Sequence, residues 1–336
     1  MSTATDSDVE VSETFECFGS SCTVSVIGGG AEGSARDAVQ AARRALNKWH
    51  RQFSRFLPES ELCAVNRDPA PEVRVSPLMA RLADAVVKAG SLTDGLVDAT
   101  QLEEIERAGY AHDLASPLPL PLALKMAPAR TPASPRPEPL WLLIAVNLHA
   151  NSIRRPPGVK LDSGGIAKGL FADVLAERLS DHASFAVNCG GDLTIGGAER
   201  RVRPVHVQSP FDGRVLHTFA LTHGGVGTSG IGRRSWLDLR GRPAHHLLDP
   251  STGRPAFTGV VQATALAPSA SMAEIRAKAA VLAGRRGARR WLPDGGVIVL
   301  DDGSYQVFAP PAVVTLGQLS GLRPNTPERT PMVLTS

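Results

Sequence analysis

Lys160-Leu161-Asp162-Ser163-Gly164-Gly165-Ile166-Ala167-Lys168-Gly169 is the stretch on which both fold and chemistry turn. An extended segment ends in the carboxylate of Asp162. Two glycines follow, and backbone without Cβ atoms can approach a ligand closely. The pattern then becomes helical over residues 166–180, so the unpaired N–H groups of a helix start face the same place. Lys168 falls in that first turn, where its charge suits a bound phosphate better than it suits the helix dipole. Taken alone, the segment is an anion-binding turn or an ordinary strand-to-helix connection.

The surrounding chain sets the architecture. Towards the N-terminus, Phe15 to Ile27 reads as extended and is broken by Gly28-Gly29-Gly30. Residues 34–53 have helical periodicity, with Val39, Ala42, Leu46, Trp49 and Phe53 forming a core face and Arg43, Arg44 and Lys48 between them. A second helix is expected over 77–91. Residues 112–139 are rich in proline (PLPLPLALKMAPARTPASPRPEP from Pro117) and read as an exposed insertion that sustains neither ladder nor helix. A strand over 140–148 leads through Pro156-Pro157-Gly158 to Asp162. Beyond the opening stretch, short strands dominate 184–265, a helix covers 271–292, and a strand or hairpin covers 295–308. Residues 1–12 are expected to be disordered, 13–316 to form one folded unit, and 317–336 to be a loose tail. Strands do not alternate strictly with helices, which favours an α+β architecture of mixed sheets flanked by helices over a doubly wound sheet.

Composition excludes several functions. The 336 residues are 43% apolar with a net charge of +3, too small an excess to argue for a nucleic-acid partner or a charged membrane surface. No run approaches the ~18 apolar residues of a spanning helix. Met1 to Glu13 is acidic and polar, unlike a signal peptide. Cys17, Cys22, Cys63 and Cys189 have neither metal-site spacing nor the density of a disulfide framework. A cytoplasmic protein is therefore expected, with no nucleic acid and no membrane among its partners.

Four further segments carry polar chemistry. Asn188-Cys189-Gly190-Gly191-Asp192 is a second glycine turn at a strand end. Gly227-Thr228-Ser229-Gly230, with Arg234 close behind, offers hydroxyls and a guanidinium that forks onto phosphate oxygens. In His245-His246-Leu247-Leu248-Asp249-Pro250-Ser251-Thr252-Gly253 the aspartate-to-glycine part is a turn, and His246 can take a proton near neutrality. In Ala273-Glu274-Ile275-Arg276-Ala277-Lys278, Glu274 and Lys278 lie one helical turn apart. That spacing alone reads as a surface ion pair worth about 0.3–0.5 kcal/mol.

Each segment is weak by itself, but their order is specific. Phe53-Ser54-Arg55-Phe56-Leu57-Pro58-Glu59-Ser60-Glu61-Leu62 followed by Asn66 is similar to the N-terminal signature of the ApbE family. Asp94-Gly95-Leu96-Val97-Asp98-Ala99-Thr100 resembles that family's next block, and the blocks at 162–169, 188–192, 228–234 and 246–255 follow in its order. The resemblance covers about residues 15 to 285. It implies an α+β fold with FAD in a cleft between sheet-bearing lobes. It also implies transfer of FMN from FAD to a threonine hydroxyl of an acceptor flavoprotein, with release of AMP. Asn66, Asp98, Asp162, Lys168, Ser229, Arg234 and His246 occupy positions that the resemblance places near the nucleotide. His246 is the candidate base, and Lys168 the candidate stabiliser of charge on the phosphates. A Mg²⁺ ion at the pyrophosphate is implied as well, with a main-chain ligand at Gly165.

Two departures stand out. The family's M-G-T appears as Phe18-Gly19-Ser20, and Phe18 can stack on a ring or fill core. The family's A-D-A-L-S-T, which supplies two metal ligands, appears as Ala273 to Lys278. Glu274 keeps a carboxylate, but Lys278 replaces a threonine ligand, and an ammonium has no lone pair to offer. Three outcomes are open: Lys278 supplies part of the metal's charge and acts catalytically; Glu274 still binds a metal completed by waters; or the chain binds FAD without transferring it. An FAD pyrophosphatase yielding FMN and AMP is a further alternative.

Overall fold

The computed structural model describes residues 9–112, 114 and 117–309, and the backbone of 332–334. Its spine is an eight-stranded sheet of Glu10–Cys17, Ser20–Ile27, Ser184–Cys189, Asp192–Gly196, Gly224–Gly230, Val260–Ala267, Gly296–Leu300 and Tyr305–Phe308, in that spatial order. Every neighbouring pair is antiparallel. Side chains of a strand alternate between the sheet's faces. One face (Val187, Ala263, Ile298) packs into the main core under the helices. The other (Ala186, Leu193, Val226, Leu266, Val297) meets Val205, Val207 and Phe219 of a smaller sheet. That smaller sheet contains a parallel pair, between Met332–Leu334 and the strand Arg203–Gln208. The α+β expectation holds.

Among the helices packed into the main core, which include Pro77–Leu92, three bear on the site. Ala35–Phe53 buries Val39, Ala42, Leu46, Trp49 and Phe53, the face expected from periodicity, and Ser34 caps its start. Ala167–Leu179 follows the Asp162 turn. Ala270–Gly287 is capped by Ser269, and its first turn is also clamped by Asp173. That carboxylate accepts from the amides of Ala270 (2.8 Å) and Ser271 (2.9 Å) and from the Ser271 hydroxyl (2.5 Å). An anion at a helix start satisfies orphan N–H groups and complements the dipole.

Several boundaries differ from expectation. The first strand begins at Glu10, inside the segment expected to be disordered, and a Phe18-Gly19 turn with φ of 57° and 62° makes it a hairpin. The expected strand over 140–148 is a 3-10 turn, Leu140–Leu143, followed by a short strand, Ala145–Asn147. Within 112–139, Leu120–Met126 is a helix, with Leu120 and Ala123 buried. Proline is tolerated there because Pro119 and Pro121 sit at its start, where an amide has no partner to lose. The stretch is also tied down: Thr131 and Ala133 donate their amides to Phe257 and Leu282. The tail expected over 317–336 lies outside the described residues except for 332–334.

Helix Ala270–Gly287 lies close on strand Gly224–Gly230 because that strand presents glycines. A Cβ at Gly227 would meet Ala273 C and Glu274 N at 2.5 Å, and one at Gly225 would strike the Ser269 backbone. Gly227→Ala is expected to cost about 1–3 kcal/mol, as overpacking does. Urea midpoints of wild type and variant measure it, and an unchanged midpoint would show that the helix shifts freely.

Candidate active site

The opening stretch folds as its composition suggests. The Asp162 side chain accepts from the Gly164 amide (3.1 Å) and starts a 3-10 turn, Ser163–Gly165, that runs into helix Ala167–Leu179. Two long-range clasps hold the turn. The Asp162 amide donates to Ala99 O (2.8 Å). The Asn66 amide group bonds both the N–H and the C=O of Leu161, each at 2.8 Å. Asn66 therefore positions the turn through the backbone and does not line the cleft.

A cleft of about 380 Å³ opens over this turn, lined by Asp98, Asp162, Gly165, Lys168, Arg234, His246 and Lys278 among others. Phe18, Phe56, Leu96, Val97, Tyr110 and Phe171 give it apolar and aromatic walls. A polar recess of about 260 Å³ shares Lys168, Arg233, Arg234, His246 and Lys278 with it, and adds Ser229, Asp192 and Glu274. Of the residues singled out in the sequence, all but Asn66 meet here. One end of the space suits a flat ring system and the other a polyanion.

The cations are held by specific partners. Lys168 donates to Asp192 (2.6 Å) and to Gly190 O (3.2 Å). Burial pulls its pKa down, but the Asp192 and Glu274 charges outweigh that and leave it raised. Asp192 is itself pushed up to about 6, by burial and by the nearby Glu274 charge. Arg234 donates to Phe18 O (3.0 Å). Arg233 is lowered, mainly by burial. Asp98 is raised by burial. One of its oxygens takes the Thr100 amide and hydroxyl, and the other is buried with no partner among the described residues.

Arg55 escaped the reading of the sequence, where it is an unmarked position between Ser54 and Phe56. Its guanidinium lies over the rings of Phe56 (4.3 Å) and Tyr110 (4.4 Å). Nε is 3.9 Å from Asp162 Oδ1, and among the described residues both buried terminal nitrogens have no hydrogen-bond partner. The only signal available in the sequence was a charge inserted among aromatic residues. Phe18, whose role was open, does both things at once: it packs on Phe171 (5.2 Å between centroids) and lines the cleft.

The two histidines are neutral. Burial drives His246 well below the usual 6.5, helped by the charges of Arg234 and Lys278, and among the described residues its buried Nδ1 has no hydrogen-bond partner. His245, fully buried beside the Phe257 ring (4.7 Å), is lowered to about 3 by burial. The Cys17 thiol is pushed well above the usual range by its hydrogen bond to Cys22 and by burial, and the Cys22 thiol is raised by Cys189 and burial against the opposing hydrogen bond from Cys17.

A profile of the ApbE family matches residues 18–300. The chain belongs to the ApbE family. It is 28% identical over 208 residues to the FAD:protein FMN transferase of Salmonella typhimurium, covering 60% of this chain and 57% of that protein. It is 28% identical over 319 residues to the FAD:protein FMN transferase of Rhodobacter capsulatus, covering 90% of this chain and 57% of that one. The chain thus spans under two thirds of the length of both relatives. Among solved structures, an ApbE protein from Thermotoga maritima superposes with a TM-score of 0.72 at 25% identity, over 89% of this chain and 97% of its own. The flavin transferase ApbE of Vibrio cholerae does so at 0.66 and 19% identity, over 90% and 97%.

The magnesium ion implied by the ApbE resemblance does not fit the residues present. Lys278 Nζ donates to the Gly165 carbonyl and to Glu274 Oε1 (2.8 Å), the two groups expected as ligands. Glu274 Oε2 takes the Gly169 amide (2.9 Å). The pair is also no surface bridge, since the side chains are 9% and 2% exposed. Among the described residues no group of three or more His, Cys, Asp or Glu is arranged to hold a metal ion.

His245 makes acid stability testable. Between its usual 6.5 and about 3 the unfolded chain binds one proton that the native chain refuses, so stability falls as pH falls. This contributes about 1.4 kcal/mol per pH unit. His245→Phe is expected to flatten the fall of urea-unfolding free energy between neutral and acid pH. Parallel profiles for variant and wild type would show that His245 is not buried neutral.

Proposed function

We propose that this chain moves FMN from FAD onto a threonine hydroxyl of an acceptor flavoprotein and releases AMP. The observation that carries the reading is the meeting of Lys168, Arg234 and neutral His246 with the Asp162 turn in one aromatic-walled cleft, in a chain of the ApbE family. FAD combines a flat ring system with a pyrophosphate, and the cleft and its recess offer a wall for one and cations for the other. Arg55, stacked and with unpaired N–H groups, is a donor to the nucleotide that the motif alone did not nominate.

In the reaction a bond forms between the threonine oxygen and the FMN-side phosphorus, and the bond from that phosphorus to the bridging oxygen breaks. The electron pair leaves with AMP. The threonine proton goes to His246, which accepts it because its imidazole is neutral. Burial and the nearby cations that keep His246 neutral also weaken it as a base, and a bound pyrophosphate offsets the cations' part of that effect. Lys168 and Arg234 stabilise charge on the departing phosphate, and the glycine turn lets backbone N–H groups face it. We read the setting as cytoplasmic on the strength of the four free cysteines, three of them buried. No helix among the described residues is long and apolar enough to cross a membrane.

The test is incubation of the purified chain with FAD and a threonine-bearing acceptor. AMP and flavinylated acceptor are expected in equal amounts. FMN and AMP without flavinylation would make the chain a pyrophosphatase, and intact bound FAD would make it a carrier. Arg55→Met and Lys168→Ala are expected to weaken FAD binding about tenfold or more, as loss of a charge-assisted hydrogen bond does. His246→Ala is expected to slow transfer by about 10²–10⁴ while FAD binding changes little.

A further inference from the structure

We infer that the ammonium of Lys278 is a tethered cation standing where a divalent metal would stand, so that this chain binds the pyrophosphate and transfers FMN without one. The inference rests on the transferase reading and adds which cation serves the site.

Three observations converge. First, Lys278 Nζ is held between Gly165 O and Glu274 Oε1, one oxygen from each of the two segments that meet at the recess. An ammonium has three donors, so two are used and the third is left. Lys278 lines both the cleft and the recess, so that third donor has ligand space beside it. Second, the position is rigid. Lys278 lies on a helix whose start is clamped by Asp173, and whose Glu274 also takes the Gly169 amide. A Cβ on Gly165 would come within 3.7 Å of Lys278 Cε, so the stem passes close over the glycine turn. Third, cations already outnumber carboxylates at the site, five to four. Arg55, Lys168, Arg233, Arg234 and Lys278 face Asp98, Asp162, Asp192 and Glu274 across the two spaces. The excess of cations meets the pyrophosphate directly. A divalent ion at the same oxygens would lie against a fixed ammonium, and like charges at that distance repel strongly in a buried site.

The test compares wild type stripped of metal by EDTA with wild type in excess Mg²⁺, reading FAD affinity from flavin fluorescence and transfer from AMP release. Both are expected to agree within about threefold, under the tenfold that a lost charge interaction gives. A tenfold or greater loss of either in EDTA, restored by Mg²⁺, would overturn the inference while leaving the transferase reading standing. Metal-indifferent FAD binding with no AMP from any acceptor would instead sink the transferase reading and leave the cation's role standing. Lys278→Thr is expected to lose FAD affinity at least about tenfold in EDTA and to regain it with Mg²⁺. Mn²⁺ electron paramagnetic resonance is expected to show one tightly held ion in that variant with FAD and none in wild type. A tightly held Mn²⁺ in wild type would overturn the inference without depending on how the variant folds.

Discussion

Glu274 and Lys278 lie one turn apart on a buried helix, and their charges reach across to a second one. The carboxylate takes the Gly169 amide with one oxygen and the ammonium with the other, while the ammonium reaches the Gly165 carbonyl. Four backbone and side-chain groups from segments about a hundred residues apart are thereby satisfied at one point. Burying two charges costs several kcal/mol per ion unless the geometry also supplies hydrogen bonds. Here it does, and the return is positional: the glycine turn, the first turn of Ala167–Leu179 and the helix Ala270–Gly287 are locked in one arrangement. Close approach makes this possible. Gly169 meets the Ala270 backbone and Gly227 the Ala273 backbone at distances no side chain permits.

From that lock the electrostatics of the cleft follow. Lysine and arginine side chains crowd one end, and burial, helped by their field, keeps His246 neutral where an isolated histidine would be partly charged. Lys168 stays charged because Asp192 lies behind it. The aromatic wall of Phe56 and Tyr110 carries Arg55 with its terminal nitrogens uncommitted. Such an array suits the ligand proposed for it, a polyanion carrying a ring system. Preorganised cations of this kind stabilise developing charge without reorganising during reaction.

Much of this was legible along the chain. Period-3.6 patterning located Ala35–Phe53 and its buried face, because burial repeats with the turn of the helix. Glycine pairs located the turns, because only glycine tolerates such close backbone approach. The order of polar blocks named the family. Other features were hidden. Pro119 and Pro121 looked like breakers, yet they start a helix, since proline's cost depends on where in the helix it falls. Asn66 looked like a ligand contact, yet it clasps Leu161. Arg55 carried no periodic or motif signal at all.

By itself, then, the amino-acid order determined much of the local geometry, the α+β class and most of the polar groups, because backbone propensity, hydrophobic period and turn chemistry act over a few residues. Only the tertiary structure decided what those groups face. The spacing of Glu274 and Lys278 was readable as an ion pair, but whether it lay in water or in the core depended on strand Gly224–Gly230 beneath it. That Lys278 meets the Gly165 carbonyl, 113 positions away, depended on the packing of two helices. The electrostatic worth of a charge is set by its burial and its neighbours, and both are properties of the folded chain.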